Sequence, residues 1–471
     1  MRVAAVYDRR SLMSRQRCRQ CSETFLPTQT SNGMNYSRHD APTTRPTSFR
    51  WVVLGLVSSA AASAYLTRYC ISAANTTMQD ELGFDNAEMG GLMSAFMLGY
   101  FLFQIPGGWL GNRFGTRAAF VAIAVCWSLC NLWTAAASLL GMLWASRFML
   151  GVFQAGMTPL SAKIVKDWIP LSNRGMSSAT IGAAMSLGGA FTIGLTGWLL
   201  DHNFGWREIF AAYSLVAIVW AILFAWFFRT SPRQHAWVNN AELALIEGTD
   251  FEGVVRSAGR PEESTWVLTC RIAGSLSLWS LCVQSFFRAA GYVFFVTWFF
   301  AFLEYVYHID KEEAGLLNSL PLIAVVLGSL AGGVVVDRIL TATGSRWISR
   351  SGTAIVAMFV CGLLTMASAW TASAMQLSIV IAIGAFYSGI GLPAAWAATI
   401  DIGGKHTAIA MAIMNMAGCL AGIILPIVLG NWFDDIRQAD GDWNQVIYLH
   451  AAFYFICSAS WLMVNPNRSI D

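Results

Sequence analysis

Gly107 to Arg117 reads GGWLGNRFGTR, and its setting decides the fold. About twenty mostly apolar residues precede it and another apolar run follows. Two glycines, a short basic turn and a return to apolar sequence is how two membrane helices are joined on the cytoplasmic side. The pattern returns at Gly332 to Leu340 as GGVVVDRIL. Gly108, Asn112 and Arg113 align with Gly333, Asp337 and Arg338, each 225 residues on, and the same offset aligns Asp85 with Asp310, Glu88 with Glu313, Gly90 with Gly315 and Ser94 with Ser319. The chain is a duplicated unit. Duplicated halves of a multi-span membrane protein are the build of many secondary transporters.

Composition agrees. Of 471 residues, 56% are hydrophobic and only 12% charged, half the charge of a typical soluble domain at about 25%. The 29 Phe and 20 Trp suit a lipid-facing surface with interfacial belts. A formal charge of +3 is too small to indicate nucleic acid. Most of the ten Cys lie inside apolar runs, as buried reduced thiols do. Cys18 and Cys21 form a lone C-x-x-C with no second ligand pair, so no metal site and no cofactor is expected.

The expected fold is all-α and polytopic, with twelve transmembrane helices in two six-helix pseudo-repeats. Residues 1–50 hold nine Arg and three acids and read as a cytoplasmic basic tail, an organelle transit peptide or sequence upstream of a start at Met34. Six spans fall within 51–228, a polar cytoplasmic linker at 229–271, six further spans within 272–464, and a short cytoplasmic tail at 465–471. Continuous rather than alternating apolar runs exclude a β-barrel. Even-numbered connections carry Arg113, Arg117, Lys166, Arg174, Arg338, Arg346, Arg350 and Lys405, while the opposite side is mostly acidic. That bias places both termini in the cytoplasm, in an inner or plasma membrane, with an organelle membrane left open.

Several stretches together are similar to one branch of the major facilitator superfamily, the anion:cation symporters. They are Tyr65 to Arg68 (YLTR), Arg147 to Pro159 (RFMLGVFQAGMTP), Trp168 to Pro170 followed by Arg174-Gly175, Gly205 to Arg207, Arg288 to Trp298 (RAAGYVFFVTW) and Asn415 to Pro426 (NMAGCLAGIILP). The resemblance covers about residues 48–464 and extends to hexuronate, glucarate and galactonate carriers and to sialic-acid, phosphate and vesicular glutamate carriers. It implies a carrier of small organic anions that works by alternating access. A monomer is expected, and with no metal-ligand cluster, nucleophile constellation or phosphate loop in the sequence, an enzyme is not. It also implies that the Arg of the first and fourth spans, Arg68 and Arg147, are substrate and coupling positions.

The residues support this independently. Arg68, Arg147 and Arg288 each interrupt an apolar run, and an ionisable group there faces a cavity or a partner. Arginine stays charged when buried, and its planar fork matches a carboxylate. Tyr65, Tyr292, Trp396 and Asn415 are candidates to complete a site for a polyhydroxylated acid. Two bland readings stand beside these: Arg147 braces two helices through backbone carbonyls, or Arg288, placed near the start of its span, snorkels to the interface.

The chain departs from its resembled family at two places. Proton-coupled members carry an Asp before the first-span Arg and a Glu seven residues after the fourth-span Arg; here Thr67 and Gln154 stand there and cannot titrate. Uniport, anion exchange, or coupling to H⁺ or Na⁺ elsewhere all stay open. Glu304, His308 and Asp401 are expected to be solvated. Gly108, Asn112, Arg113, Gly333, Asp337 and Arg338 are expected to form a cytoplasmic gate, with the Asp337 side the stronger. Alternatives are a transporter of phosphate or a glutamate-like anion, and a non-transporting sensor of an organic anion.

Overall fold

The computed structural model describes residues 45–84, 86–247, 271–309, 311–439 and 441–470. The C-x-x-C, the first 44 residues and linker residues 248–270 lie outside the described residues.

Among the described residues the chain is helical throughout. The first half contains α1 (Phe49–Ala73), α2 (Asn75–Leu82), α3 (Asn86–Phe114), α4 (Thr116–Ala136), α5 (Leu140–Gln154), α6 (Met157–Trp168), α7 (Arg174–Asp201) and α8 (Trp206–Phe227). A short helix α9 (Asn240–Glu247) lies between the halves. The second half contains α10 (Leu276–Thr297), α11 (Phe299–Tyr307), α12 (Lys311–Thr343), α13 (Thr353–Ala367), α14 (Ala374–Gly403), α15 (Thr407–Gln438) and α16 (Asn444–Ser460).

Among the described residues, ten stretches are long and apolar enough to cross a membrane. One of them, Ala374–Leu425, is broken at Gly404–His406 into α14 and α15, and α10 supplies a further span, which gives the twelve expected. The fourth span is divided at Ala155–Gly156 into α5 and α6, and the seventh at Trp298 into α10 and α11. Helices α2 and α9 were not anticipated, being short and polar.

The duplication is visible in the packing. In the first half α1 packs on α7, α3 on α5 and α4 on α8; in the second, α10 packs on α15, α12 on α14 and α13 on α16. These are equivalent pairs in the two six-span sets. The α3–α5 and α12–α14 crossings are made by small residues. A Cβ on Gly107 would meet Gly156 Cα at 2.5 Å, and one on Gly332 would meet Ile390 Cα at 2.6 Å. Backbones approach this closely in a bilayer because packing, not water exclusion, drives helix association there. The halves meet through α7 against α12 and α3 against α15.

Large apolar side chains cover the outside, as lipid rather than water requires. Trp226 and Trp370, each 70% exposed, stand at the ends of their spans. Helix α9 folds back onto the start of α1: Glu242 accepts from the backbone N–H of Phe49 and Arg50, each at 3.0 Å, and from the Thr47 hydroxyl. A carboxylate at a helix N-terminus satisfies orphan donors and complements the helix dipole.

Candidate functional site

Arg68 sits where α1, α3 and α5 meet. Its Cζ lies 4.7 Å from the Tyr65 ring centroid on its own helix, and 4.6 and 4.7 Å from those of Phe96 and Tyr100 on α3. Tyr65 precedes it by three residues and so shares its face. Three rings within about 6 Å of one cation hold it by their quadrupoles without neutralising it. The Nε donates to Gln154 Oε1 at 3.3 Å. Nη2 is buried with no hydrogen-bond partner.

The two departed positions touch each other. Gln154 Nε2 donates to the Thr67 hydroxyl at 2.9 Å and to the Ala64 carbonyl at 3.0 Å. The Thr67 hydroxyl donates to the same Ala64 carbonyl at 3.0 Å. Both side chains are buried, and the network is neutral apart from Arg68.

Arg147, only 1% exposed, reaches from α5 to the backbone of α1. Its Nη1 donates to the Thr67 carbonyl at 3.2 Å and its Nη2 to the Arg68 carbonyl at 3.0 Å. This is the bracing arrangement held open from the sequence. Two of its nitrogens are given to the helix that carries Arg68, while Nε is buried with no hydrogen-bond partner.

The second half reaches the same region through α15. Asn415 Nδ2 donates to Gln104 Oε1 at 2.6 Å and to the Tyr100 hydroxyl at 3.2 Å. Gln104 Nε2 in turn points at Cys419 Sγ, 3.3 Å away. Gln104 and Tyr100 were not singled out from the sequence. An uncharged amide and a phenol in an apolar run give a weaker signal than an arginine, yet both join the halves. Arg288 lies beyond the middle of α10, not near its start, with Nε buried and without a hydrogen-bond partner. Tyr292, one turn on, is within electrostatic reach of both Arg288 and Tyr69. Trp396 is buried on α14, five residues before Asp401.

At the end of the bundle that carries the described termini, the halves are locked together. Asp337 accepts from the backbone N–H groups of Gly175 at 2.9 Å and Met176 at 2.8 Å, at the start of α7. Arg174 donates to Asp401 at 3.0 Å, and Arg350 reaches Asp401 at 3.3 Å and Asp337 at 3.8 Å. Asp401 is therefore buried and doubly paired, not solvated: the α14 end turns it inward against two arginines. A π-helical turn at Ile348–Gly352 delivers the buried Arg350 to this cluster. Glu304 is half-buried and His308 exposed at the far end.

Gly333 marks the same contact, since a Cβ there would meet Met176 Cα at 2.9 Å; Gly108 marks its counterpart, 2.9 Å from the Ala408 carbonyl. Asn112, Arg113 and Arg338 are exposed. Towards the far end, Gly194 and Gly197 of α7 and Gly422 of α15 have no heavy atom within 4 Å of where a Cβ would sit.

Paired six-span halves that meet around a polar centre holding an arginine, and that are locked together by buried ion pairs at the termini end, are the build of a membrane transporter. The chain belongs to the Major Facilitator Superfamily, whose sequence profile matches residues 57–426 and 281–470. It is 26% identical over 422 residues to a probable sulfoacetate transporter of Cupriavidus necator, covering 90% of this chain and 95% of that one. It is 28% identical over 440 residues to a probable galactarate/D-glucarate transporter of Bacillus subtilis, covering 91% and 95%. Among solved structures it is similar to the proton:xylose symporter XylE bound to 6-bromo-6-deoxy-D-glucose (TM-score 0.64, 15% identity, 89% and 94% covered). It is also similar to the transporter FucP in the outward conformation (TM-score 0.60, 13% identity, 88% and 97% covered).

Proposed function

We propose that the chain carries a small organic anion of the sugar-acid class, a hexuronate, aldonate or aldarate, by alternating exposure of the Arg68 site. The observation that carries this reading is the Arg68 guanidinium, ringed by Tyr65, Phe96 and Tyr100, with Nη2 buried and unpartnered. A buried cation with no carboxylate beside it among the described residues is stabilised by an anionic ligand. Tyr65, Tyr100, Tyr292 and Asn415 offer the hydroxyl and amide groups that a polyhydroxylated acid requires. Relatives named for sulfoacetate and for galactarate and D-glucarate, all acids, support the same class.

In this reading Arg68 receives the carboxylate. Arg147 is a positioning residue that fixes the α1 backbone under Arg68, Arg288 with Tyr292 forms the opposing wall, and Trp396 supports the floor. Thr67 and Gln154 are a hydrogen-bonded neutral pair, so neither takes up a proton. With one lone pair on Gln154 and its proton on Ala64, the Thr67 hydroxyl is also poorly placed to ligate Na⁺. The carrier then runs as a uniporter or an exchanger. Lys/Arg bias makes the termini end cytoplasmic, so the locked end faces the cytoplasm. The protein works as a monomer in an inner or plasma membrane, rocking residues 51–228 against 272–464.

The test is uptake of labelled hexuronates, aldonates and aldarates into proteoliposomes, with and without an imposed proton gradient. The expected result is uptake of at least one acid that equilibrates but is not concentrated, and that Arg68→Ala abolishes. Gradient-driven accumulation would overturn the neutral-pair reading. Uptake of none of the panel would overturn the substrate class.

A further inference from the structure

A neutral polar seam joins the halves inside the bilayer and ends at the Arg68 site. It runs where α3 of the first half packs on α15 of the second. At the termini end the two helices meet through backbone: a Cβ on Gly108 would lie 2.9 Å from the Ala408 carbonyl oxygen. One turn further in, Gln104 carries the contact. It is fully buried, its Oε1 accepts from Asn415 Nδ2 at 2.6 Å, and its Nε2 faces Cys419 Sγ at 3.3 Å. A turn beyond that, Asn415 Nδ2 also donates to the Tyr100 hydroxyl at 3.2 Å, and this hydroxyl pairs with that of Thr158 on α6 at 3.1 Å. The ring of the same Tyr100 lies 4.7 Å from Arg68 Cζ. Gln104 therefore sits between the backbone contact that closes the termini end and the cation that receives the ligand.

We propose that Gln104 makes reorientation depend on cargo, so that the protein is an anion exchanger rather than a uniporter. To expose Arg68 to the termini side, α3 and α15 must part along this seam. Parting an empty carrier leaves the Gln104 and Asn415 amides without each other in a buried setting, and a buried polar group that loses its partner carries the full cost of its desolvation. A bound polyhydroxylated acid removes that cost in two ways. Its carboxylate competes with the Tyr100 ring for the Arg68 guanidinium, and a charge-assisted pair is stronger than a cation–π contact. Its hydroxyls replace the amide partners that the parting helices give up. The loaded carrier then opens and the empty one stays shut, since a ligand shifts a conformational equilibrium only through such a difference between the two states. The part played by cargo rests on Arg68 as the anion site; the seam does not.

The experiment has a ligand-free arm and a transport arm. Deuterium uptake of the full-length protein in detergent, read by mass spectrometry, reports opening of the seam. Without ligand, Gln104→Leu should take up deuterium about tenfold faster than the parent over residues 108–114 and 407–415, with α4 and α8 unchanged. Gln104→Asn/Asn415→Gln, an amide pair of the same total length, should return uptake to the parental rate. Parental protection in Gln104→Leu would overturn the proposal, and so would a rise spread over the whole chain that the swapped pair does not reverse. In the transport arm, labelled galactarate is offered to proteoliposomes that hold unlabelled galactarate or none. The parent should fill the loaded vesicles about tenfold faster, and Gln104→Leu should fill both at nearly the same rate. Equal rates in the parent would overturn the exchanger. Entry of galactarate under neither condition would count against the sugar-acid reading and not against the seam, which the ligand-free arm decides.

Discussion

Gln154 and Thr67 are joined side chain to side chain, at 2.9 Å, at the two positions where the proton-coupled pattern calls for acids. Their neutrality is therefore a property of one local network and not two independent substitutions. Thr67→Asp with Gln154→Glu places two carboxylates against each other beside Arg68, and like charges at that range raise one pKa towards neutrality. The double variant is expected to concentrate substrate under an inward proton gradient, by up to about tenfold per pH unit for one proton per substrate. Accumulation assays at two gradients check this; an unchanged plateau would count against a latent proton site.

Arg68 and Arg147 should separate in mutagenesis although they are equally conspicuous as charges. Arg68→Ala is expected to abolish uptake with the melting temperature nearly unchanged. Arg147→Ala removes the two bonds that hold the Thr67 and Arg68 carbonyls, and should destabilise by about 1–3 kcal/mol. Arg147→Lys, which keeps the charge but not the fork, should recover part of the stability. Melting and uptake measured on the same preparations decide it. A stable Arg147→Ala that fails only in KM would make Arg147 a ligand-contacting residue instead.

How much of this was legible follows from what a charge costs in a bilayer. Arg68, Arg147 and Arg288 stand out because nothing apolar tolerates a guanidinium without a reason. The twelve spans and the repeat are likewise one-dimensional properties. Which arginine stays available is not: that depends on two carbonyls of α1 that face α5, set by packing eighty residues away. Gln104 escaped notice because an amide is cheap enough to pass as ordinary, and Asp401 because the end of an apolar run looks like the water boundary. The inward turn of Arg350 needs a π-helical step that periodicity does not register.

The closed end makes a prediction about conformation. Asp337 accepts from two adjacent backbone N–H groups, and Asn there would offer an acceptor to only one of them. Asp337→Asn should weaken closure by about 2 kcal/mol. Gly333→Val should prevent it on steric grounds, since its Cβ would sit 2.9 Å from Met176 Cα. Spin labels on the exposed positions 113 and 338 should report a longer distance in both variants than in the parent. Unchanged distances would show that the latch does not hold the end shut.

Glu242 links α9 to α1 and gives a pH dependence. Burial pushes its carboxyl up, but the Arg50 N–H, the Thr47 hydroxyl, the Phe49 N–H and the Arg50 charge outweigh that and hold it below its ordinary value of 4.5. A depressed folded value means that the contribution is complete above about 4.5 and fades as pH falls through the lower folded value. Glu242→Gln should cost about 2 kcal/mol at neutral pH and progressively less in acid. Melting of both proteins from pH 7 to pH 3 checks the sign. Curves that stay parallel would mean that the charge of Glu242 is not what ties α9 down.

Three of the four charges in the buried latch, Asp337, Arg350 and Asp401, belong to the second half, and Arg174 alone belongs to the first. When the halves part, the latch groups left on the second half sum to a negative charge and the one left on the first is positive. Those faces then meet the dissolved ions of the compartment they open to, whose screening reaches about 8 Å at physiological salt. Re-locking becomes slower as the ions grow more concentrated, while the neutral Gln104–Asn415 contact between α3 and α15 is indifferent to them. The carrier's resting preference for one face is thereby tied to ionic strength, with no ligand needed to convey it.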